Sequence, residues 1–157
     1  YLLPAGPLRE NLKILKRYSA IFLIGNKKNR ILSSILKKFN KNLFYSNYVP
    51  VNLNKFNRKK NFLFFCGIGN PDEFENTLKK YKFNISRKYI FPDHYNFKNK
   101  DLRKIKEIAF QNKLEIITTE KDYNRLSLKN KKNVKYLKVK LKIQNLKKFY
   151  NFLINRI

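Results

Sequence analysis

His94 is the only histidine in the chain, and Asp93 precedes it directly. An imidazole beside a carboxylate can take up or give a proton near neutral pH, or be oriented by its neighbour for that task. A lone histidine is more often structural or simply solvated, so its place in the fold has to decide. Thr118-Thr119-Glu120-Lys121-Asp122 is a second candidate. Lys121 can meet a phosphate as a point charge, and Arg125, one helical turn on, can share that surface. The same residues also suit a helix start, with Thr119 as N-cap and Asp122 three residues later as a capping-box variant.

Gly67-Ile68-Gly69-Asn70-Pro71 is a third candidate. Gly67 and Gly69 permit tight backbone geometry and close approach of a ligand. Pro71 suits the first turn of a helix, whose N-terminus favours an anion near Gly69 and Asn70. The segment is not a GxxxxGK[ST] nucleotide loop, and a βα turn that needs its glycines is the alternative. The fourth candidate is Leu2–Glu10, LLPAGPLRE, where Arg9 and Glu10 could contact a nucleotide or metal. Glu10 could equally serve the dipole of a helix that starts there.

These residues need a scaffold, and the patterning supplies one. Leu8–Arg17 reads as an amphipathic helix and Ala20–Gly25 as a buried strand. Arg30–Phe39 places Ile31, Ile35, Leu36 and Phe39 on one helical face. Leu43–Leu53 reads as an edge strand or extended connection interrupted by Pro50. Asn61–Cys66 is the clearest buried strand, and a helix follows from Pro71 with Phe74, Leu78 and Tyr81 on one side. Asn84–Phe91 is a strand, Asp101–Asn112 a helix, Leu114–Thr118 a strand and Glu120–Leu126 a short helix. Val134–Val139 is expected as the final strand and Asn145–Ile154 as the closing helix. Strands alternating with helices predict an α/β, Rossmann-like fold with a mainly parallel sheet flanked by helices. A single unit over residues 1–157 is expected, with a sub-boundary near 54–60. On this scaffold three of the four candidates fall at strand ends, where open α/β sheets bind ligands.

Composition bounds the rest. The chain has 157 residues, enough for one ordinary core, and no apolar run of the roughly 18–20 residues that span a bilayer. No secretory signal opens it. It begins with Tyr and contains no Met, so a fragment or trimmed chain is expected. One cysteine, Cys66, inside an apolar run, reads as a buried reduced thiol and suits a reducing compartment. One Cys and one His make no zinc site. Lys and Arg total 37 against 10 acidic residues, a net charge of +27. Such a field attracts phosphates, nucleic acid and anionic lipids. The excess is mostly Lys among abundant Asn, Ile, Phe and Tyr, which AT-rich codons also produce. The basic residues are scattered over every segment, whereas a nucleic-acid reader more often concentrates them.

Taken in order, LLPAGPLRE, GIGNPxxF (Gly67 to Phe74), FPDH (Phe91 to His94) and TTEKDxxR (Thr118 to Arg125) resemble the C-terminal portion of the tetraacyldisaccharide 4'-kinase family, the lipid A 4'-kinases. The resemblance covers essentially the whole chain. Asn11 stands where a Pro commonly follows the LRE triplet, and Tyr95 where a second His is frequent. The Walker A loop and acidic Mg-binding motif of the family's N-terminal half do not occur in this sequence, nor does its N-terminal membrane-associating helix.

The resemblance implies transfer of the γ-phosphate of ATP to the 4'-hydroxyl of a lipid A disaccharide 1-phosphate. The site would lie at the cytoplasmic face of the bacterial inner membrane, with the enzyme peripheral to it. ATP and Mg2+ would be bound mainly by the N-terminal half, the chain's expected partner, and no nucleic acid is expected. His94, paired with Asp93, would assist an Asp base from that half. Arg9 and Glu10 would lie near the nucleotide, and Gly69, Asn70, Lys121 and Arg125 near substrate phosphate. Without the N-terminal half the chain is expected to be inactive. The alternatives are a basic nucleic-acid-binding α/β module and a stand-alone Rossmann-type transferase.

Overall fold

A computed structural model describes residues 10–25, 30–39 and 42–155. The chain divides into two compact units, one made of residues 1–49 and 140–157, the other of Pro50–Val139. Residues 54–60 therefore lie inside the second unit.

The first unit contains a three-stranded sheet in the order β1-β2-β7, formed by Ile21–Ile24, Leu43–Pro50 and Val139–Ile143. β1 and β2 run parallel. β2 is thus the central strand, not the expected edge. Its proline sits at its last position, where the missing N–H costs least. β1 alternates between half-buried and exposed residues instead of being wholly buried. α1 covers Arg30–Phe39 as patterned, but Ser33 and Leu36 are its buried residues and Ile31 is exposed. Of the expected helix over Leu8–Arg17, Leu8 and Arg9 lie outside the described residues, and the rest holds a 3-10 turn at Leu12–Arg17, started by Asn11, whose side chain accepts from the Lys13 amide. α6, Leu146–Ile154, lays Phe149 against Phe22 and Phe44, with ring centroids 5.1 and 5.2 Å apart. β7 is a strand beyond the expected final one, Val134–Val139. Its Val-Lys-Leu-Lys-Ile alternation is the signal that could have shown it.

The second unit holds four strands, all parallel, in the order β4-β3-β5-β6: Asn84–Ile90, Asn61–Cys66, Glu115–Thr119 and Val134–Leu137. This is the α/β, Rossmann-like arrangement expected. β3 is buried on both faces, which is why its sequence is a continuous apolar run instead of an alternating one. Phe62, Phe64 and Cys66 pack toward Phe74 and Leu78 of α2 (Pro71–Lys80). Leu63 and Phe65 pack toward Leu102, Ile105 and Ala109 of α3 (Asn99–Gln111). Each fully buried Phe, Leu or Ile among them contributes roughly 1.5–3 kcal/mol. This core holds the strand ends in place.

Two short helices, α4 (Glu120–Asn124) and α5 (Leu128–Lys131), follow β5. α5 is a single turn in a Lys- and Asn-rich stretch and carries no apolar periodicity that would reveal it. No helix among the described residues is long and apolar enough to cross a membrane.

Candidate active site

β4, β3 and β5 are adjacent and parallel, so their carboxyl ends share one edge of the second unit's sheet. Gly67 follows β3, Phe91-Pro92-Asp93-His94 follows β4, and Thr119 ends β5. Past the last ladder pair, Phe91 N donates to Cys66 O (2.8 Å) and His94 N to Gly67 O (3.2 Å). The loop after β4 is therefore laid along Gly67. A Cβ at Gly67 would stand 3.2 Å from Pro92 O and 3.3 Å from both Tyr95 Cβ and Phe97 Cζ. Here the glycine is needed for close approach of two loops.

Asp122 joins the strand ends. Its side chain is wholly buried. Oδ2 accepts the Gly67 amide at 3.0 Å and the Thr119 hydroxyl at 2.8 Å, while the Asp122 amide donates back to Thr119 Oγ1 at 3.1 Å. Oδ1 has no hydrogen-bond donor, but Arg125 Nη1 lies 3.6 Å away as its ionic neighbour. Thr118, also buried, donates its hydroxyl to Phe65 O at 2.7 Å. Burial pushes the Cys66 thiol up to about 11, and the charge of Asp122 adds to the shift. Cys66 is a free, buried cysteine, as the expected buried reduced thiol would be.

Above this buried frame stand the exposed groups. His94 adopts the left-handed region with φ 59°, and its amide also donates to Asp93 Oδ1 at 2.9 Å. The imidazole Nε2 lies 3.5 Å from Lys121 Nζ and 3.8 Å from Asp93 Oδ2. Lys121 Nζ is 3.6 Å from Asp93 Oδ1. A Cβ at Gly69 would meet only Asp93, at 3.2 Å. The side chain of His94 is 73% exposed and that of Lys121 48%, so both can reach a ligand.

The structure thus brings together Gly69, Asp93, His94, Lys121 and Arg125. Asn70 sits at the start of α2, where its Oδ1 accepts the Glu73 amide at 3.2 Å. Its capping duty there is the local reason for that residue type. Arg9 lies outside the described residues. Glu10 is exposed and belongs to the first unit. Sequence reasoning gave Asp122 only a capping role. Its spacing from Thr119 and Arg125 is helical, but nothing local shows that Gly67, 55 residues earlier, is its partner. Among the described residues no three His, Cys, Asp or Glu side chains converge as a metal site.

Comparison with known proteins bears on what this edge serves. The family model described as tetraacyldisaccharide-1-P 4'-kinase matches residues 1–157. The chain belongs to the tetraacyldisaccharide-1-P 4'-kinase family. The tetraacyldisaccharide 4'-kinase of Pelagibacter ubique is 41% identical over 155 residues, covering 97% of this chain and 49% of the relative. Those of Rickettsia canadensis and Rickettsia akari are 40% and 38% identical, each covering 92% of this chain and 44% of the relative. The chain therefore spans about half the length of these members of the family. A crystal structure described as the "apo" form of LpxK from Aquifex aeolicus in complex with ATP has the same fold. It matches with a TM-score of 0.57 and 22% identity, over 98% of this chain and 47% of that one.

Proposed function

We propose that this chain forms the acceptor side of a tetraacyldisaccharide 4'-kinase. That enzyme would move the γ-phosphoryl group of ATP to the 4'-hydroxyl of a lipid A disaccharide 1-phosphate. The observation that carries the reading is the gathering of exposed Asp93, His94 and Lys121 at one sheet edge, in a chain of this family.

In this reaction the 4'-oxygen bonds to phosphorus as ADP leaves, and the hydroxyl proton must go elsewhere. Phosphoryl transfer depends mainly on positioning and electrostatics. His94, with Asp93 beside it, assists a carboxylate base from the remainder of the enzyme in taking that proton. Lys121 supplies a positive charge where phosphate oxygens gather. Gly69 leaves room beside Asp93. ATP and Mg2+ are held chiefly by the part of the family's length that this chain does not span, with Arg9 and Glu10 on the nucleotide side. The substrate places the enzyme at the cytoplasmic face of the inner membrane, where its cationic surface is drawn to anionic head groups.

Incubating the complete gene product that carries this stretch with ATP, Mg2+ and tetraacyldisaccharide 1-phosphate tests the reading. Mass spectrometry should show one added phosphoryl group on the lipid, and the 157-residue chain alone should add none. A lipid left unmodified by the complete protein would overturn the reading, as would full turnover by the short chain.

A further inference from the structure

Arg125 directs its guanidinium inward, along the loop that carries His94. Nη2 donates to His94 O at 2.5 Å and to Tyr95 O at 2.7 Å. Nη1 lies 3.6 Å from the buried Asp122 carboxylate, which is itself tied to Gly67 and Thr119. The neighbours of His94 are anchored by their own side chains. Phe91 stacks on Tyr95 with centroids 4.8 Å apart, and Phe97 meets both rings edge-on. Tyr95 also donates its hydroxyl to Asp101 at 2.9 Å. His94 has no such packing. Its side chain is mostly exposed, and its backbone is in the left-handed region that non-glycine residues rarely occupy. Its own backbone is held from two sides, its N–H by Gly67 O and Asp93, and its carbonyl by Arg125.

We propose that Arg125, oriented by Asp122, is a positioning residue for His94: it locks the left-handed turn and so aims the imidazole, without contacting a phosphate itself. The inference rests on the reading of His94 as an assisting group in phosphoryl transfer. A flat fork of several donors is what reaching two successive carbonyls and a carboxylate requires. A lysine offers the same charge but not that geometry.

Two measurements separate this from a phosphate-binding role. The first uses the 157-residue chain, in which His94 gives the only imidazole signal in NMR spectra. Both Arg125→Ala and Arg125→Lys should shift or broaden the His94 amide and imidazole resonances, while amides of β3 stay in place as evidence of folding. Unchanged His94 signals in both variants would remove the clamp.

The second uses phosphoryl transfer by the complete gene product. Arg125→Lys should lose kcat nearly as severely as Arg125→Ala, on the order of tenfold or more, with KM for the lipid little altered. His94→Ala and the His94→Ala/Arg125→Ala double variant should be equally slow, because the arginine acts through the histidine. Rescue by lysine, a raised KM, or losses that multiply in the double variant would contradict the proposal. If His94→Ala alone kept full activity, the catalytic reading would fail, and the NMR comparison would still decide whether the clamp exists.

Discussion

Asp122 Oδ2 accepts the Gly67 amide at 3.0 Å, so a buried carboxylate at the start of α4 binds the turn that follows β3. Asp122→Ala would leave the Gly67 amide without its acceptor and Arg125 without its ionic neighbour. Arg125 is 30% exposed and keeps its two carbonyl acceptors, so the cost is chiefly that of the orphaned buried amide, roughly 1–3 kcal/mol. Denaturant unfolding should show a loss of that order, whereas Glu120→Ala, on the half-buried first position of the same helix, should cost far less.

The two glycines of the β3 turn should behave differently. Gly67→Ala places a methyl group against the Pro92 carbonyl and two aromatic residues, at 3.2–3.3 Å. Forcing that overlap should cost about 1–3 kcal/mol and displace the loop that bears His94. Gly69→Ala meets only the Asp93 carboxylate, which can swing into solvent. Its stability should stay within roughly 0.5 kcal/mol of the parent, and any loss should appear in turnover. Thermal melts beside activity assays would distinguish the two.

The parts of the fold legible in the sequence were those decided locally. Asn61–Cys66 announced a strand buried on both faces, and the structure returns those bounds. Pro71 with Asn70 before it marked the start of α2. What failed depended on partners distant in sequence. Val139–Ile143 pairs beside β2, nearly 100 residues earlier, and makes Leu43–Pro50 a central strand; no residue within either segment carries that information. At the candidate site, Asp93, His94, Lys121 and Arg125 were legible as chemically able residues at strand ends. The inward turn of Arg125 onto two carbonyls was not, because backbone acceptors leave no mark in a sequence.

Cys66 should be silent to thiol reagents while the fold holds. Its side chain is fully buried, and burial followed by the Asp122 charge pushes its pKa up to about 11. An unfolded cysteine titrates near 8.5. The preference for the protonated thiol therefore supports the fold fully below about pH 8.5 and is lost as pH rises through the folded value. Alkylation at neutral pH should track global unfolding, rising only as denaturant opens the core. Rapid labelling of the folded chain would contradict this burial.

Acid should weaken the second unit through two carboxylates. Glu75 is held below its ordinary range by hydrogen bonds from Lys79 and Lys88. At Glu115 burial works in the opposite direction, but the hydrogen bonds and charges of Lys135 and Lys60 outweigh it and the net shift is downward. A depressed carboxylate pKa contributes stability above its unfolded value, about 4.3 for Glu, that is lost as pH falls through the folded value. The Glu75→Gln/Glu115→Gln variant should be less stable than the parent at pH 7, and the gap should close below about pH 4. A gap unchanged between the two conditions would count against these pairs.

On the proposed function, the edge beyond β3, β4 and β5 serves the phosphoryl acceptor through His94. The direct measurement is steady-state transfer from ATP to tetraacyldisaccharide 1-phosphate by the complete gene product with His94→Ala. There kcat should fall by roughly 10²–10⁴-fold, the usual worth of a proton-handling group, with KM for ATP nearly unchanged. Parental kcat in that variant, with the fold intact, would contradict it.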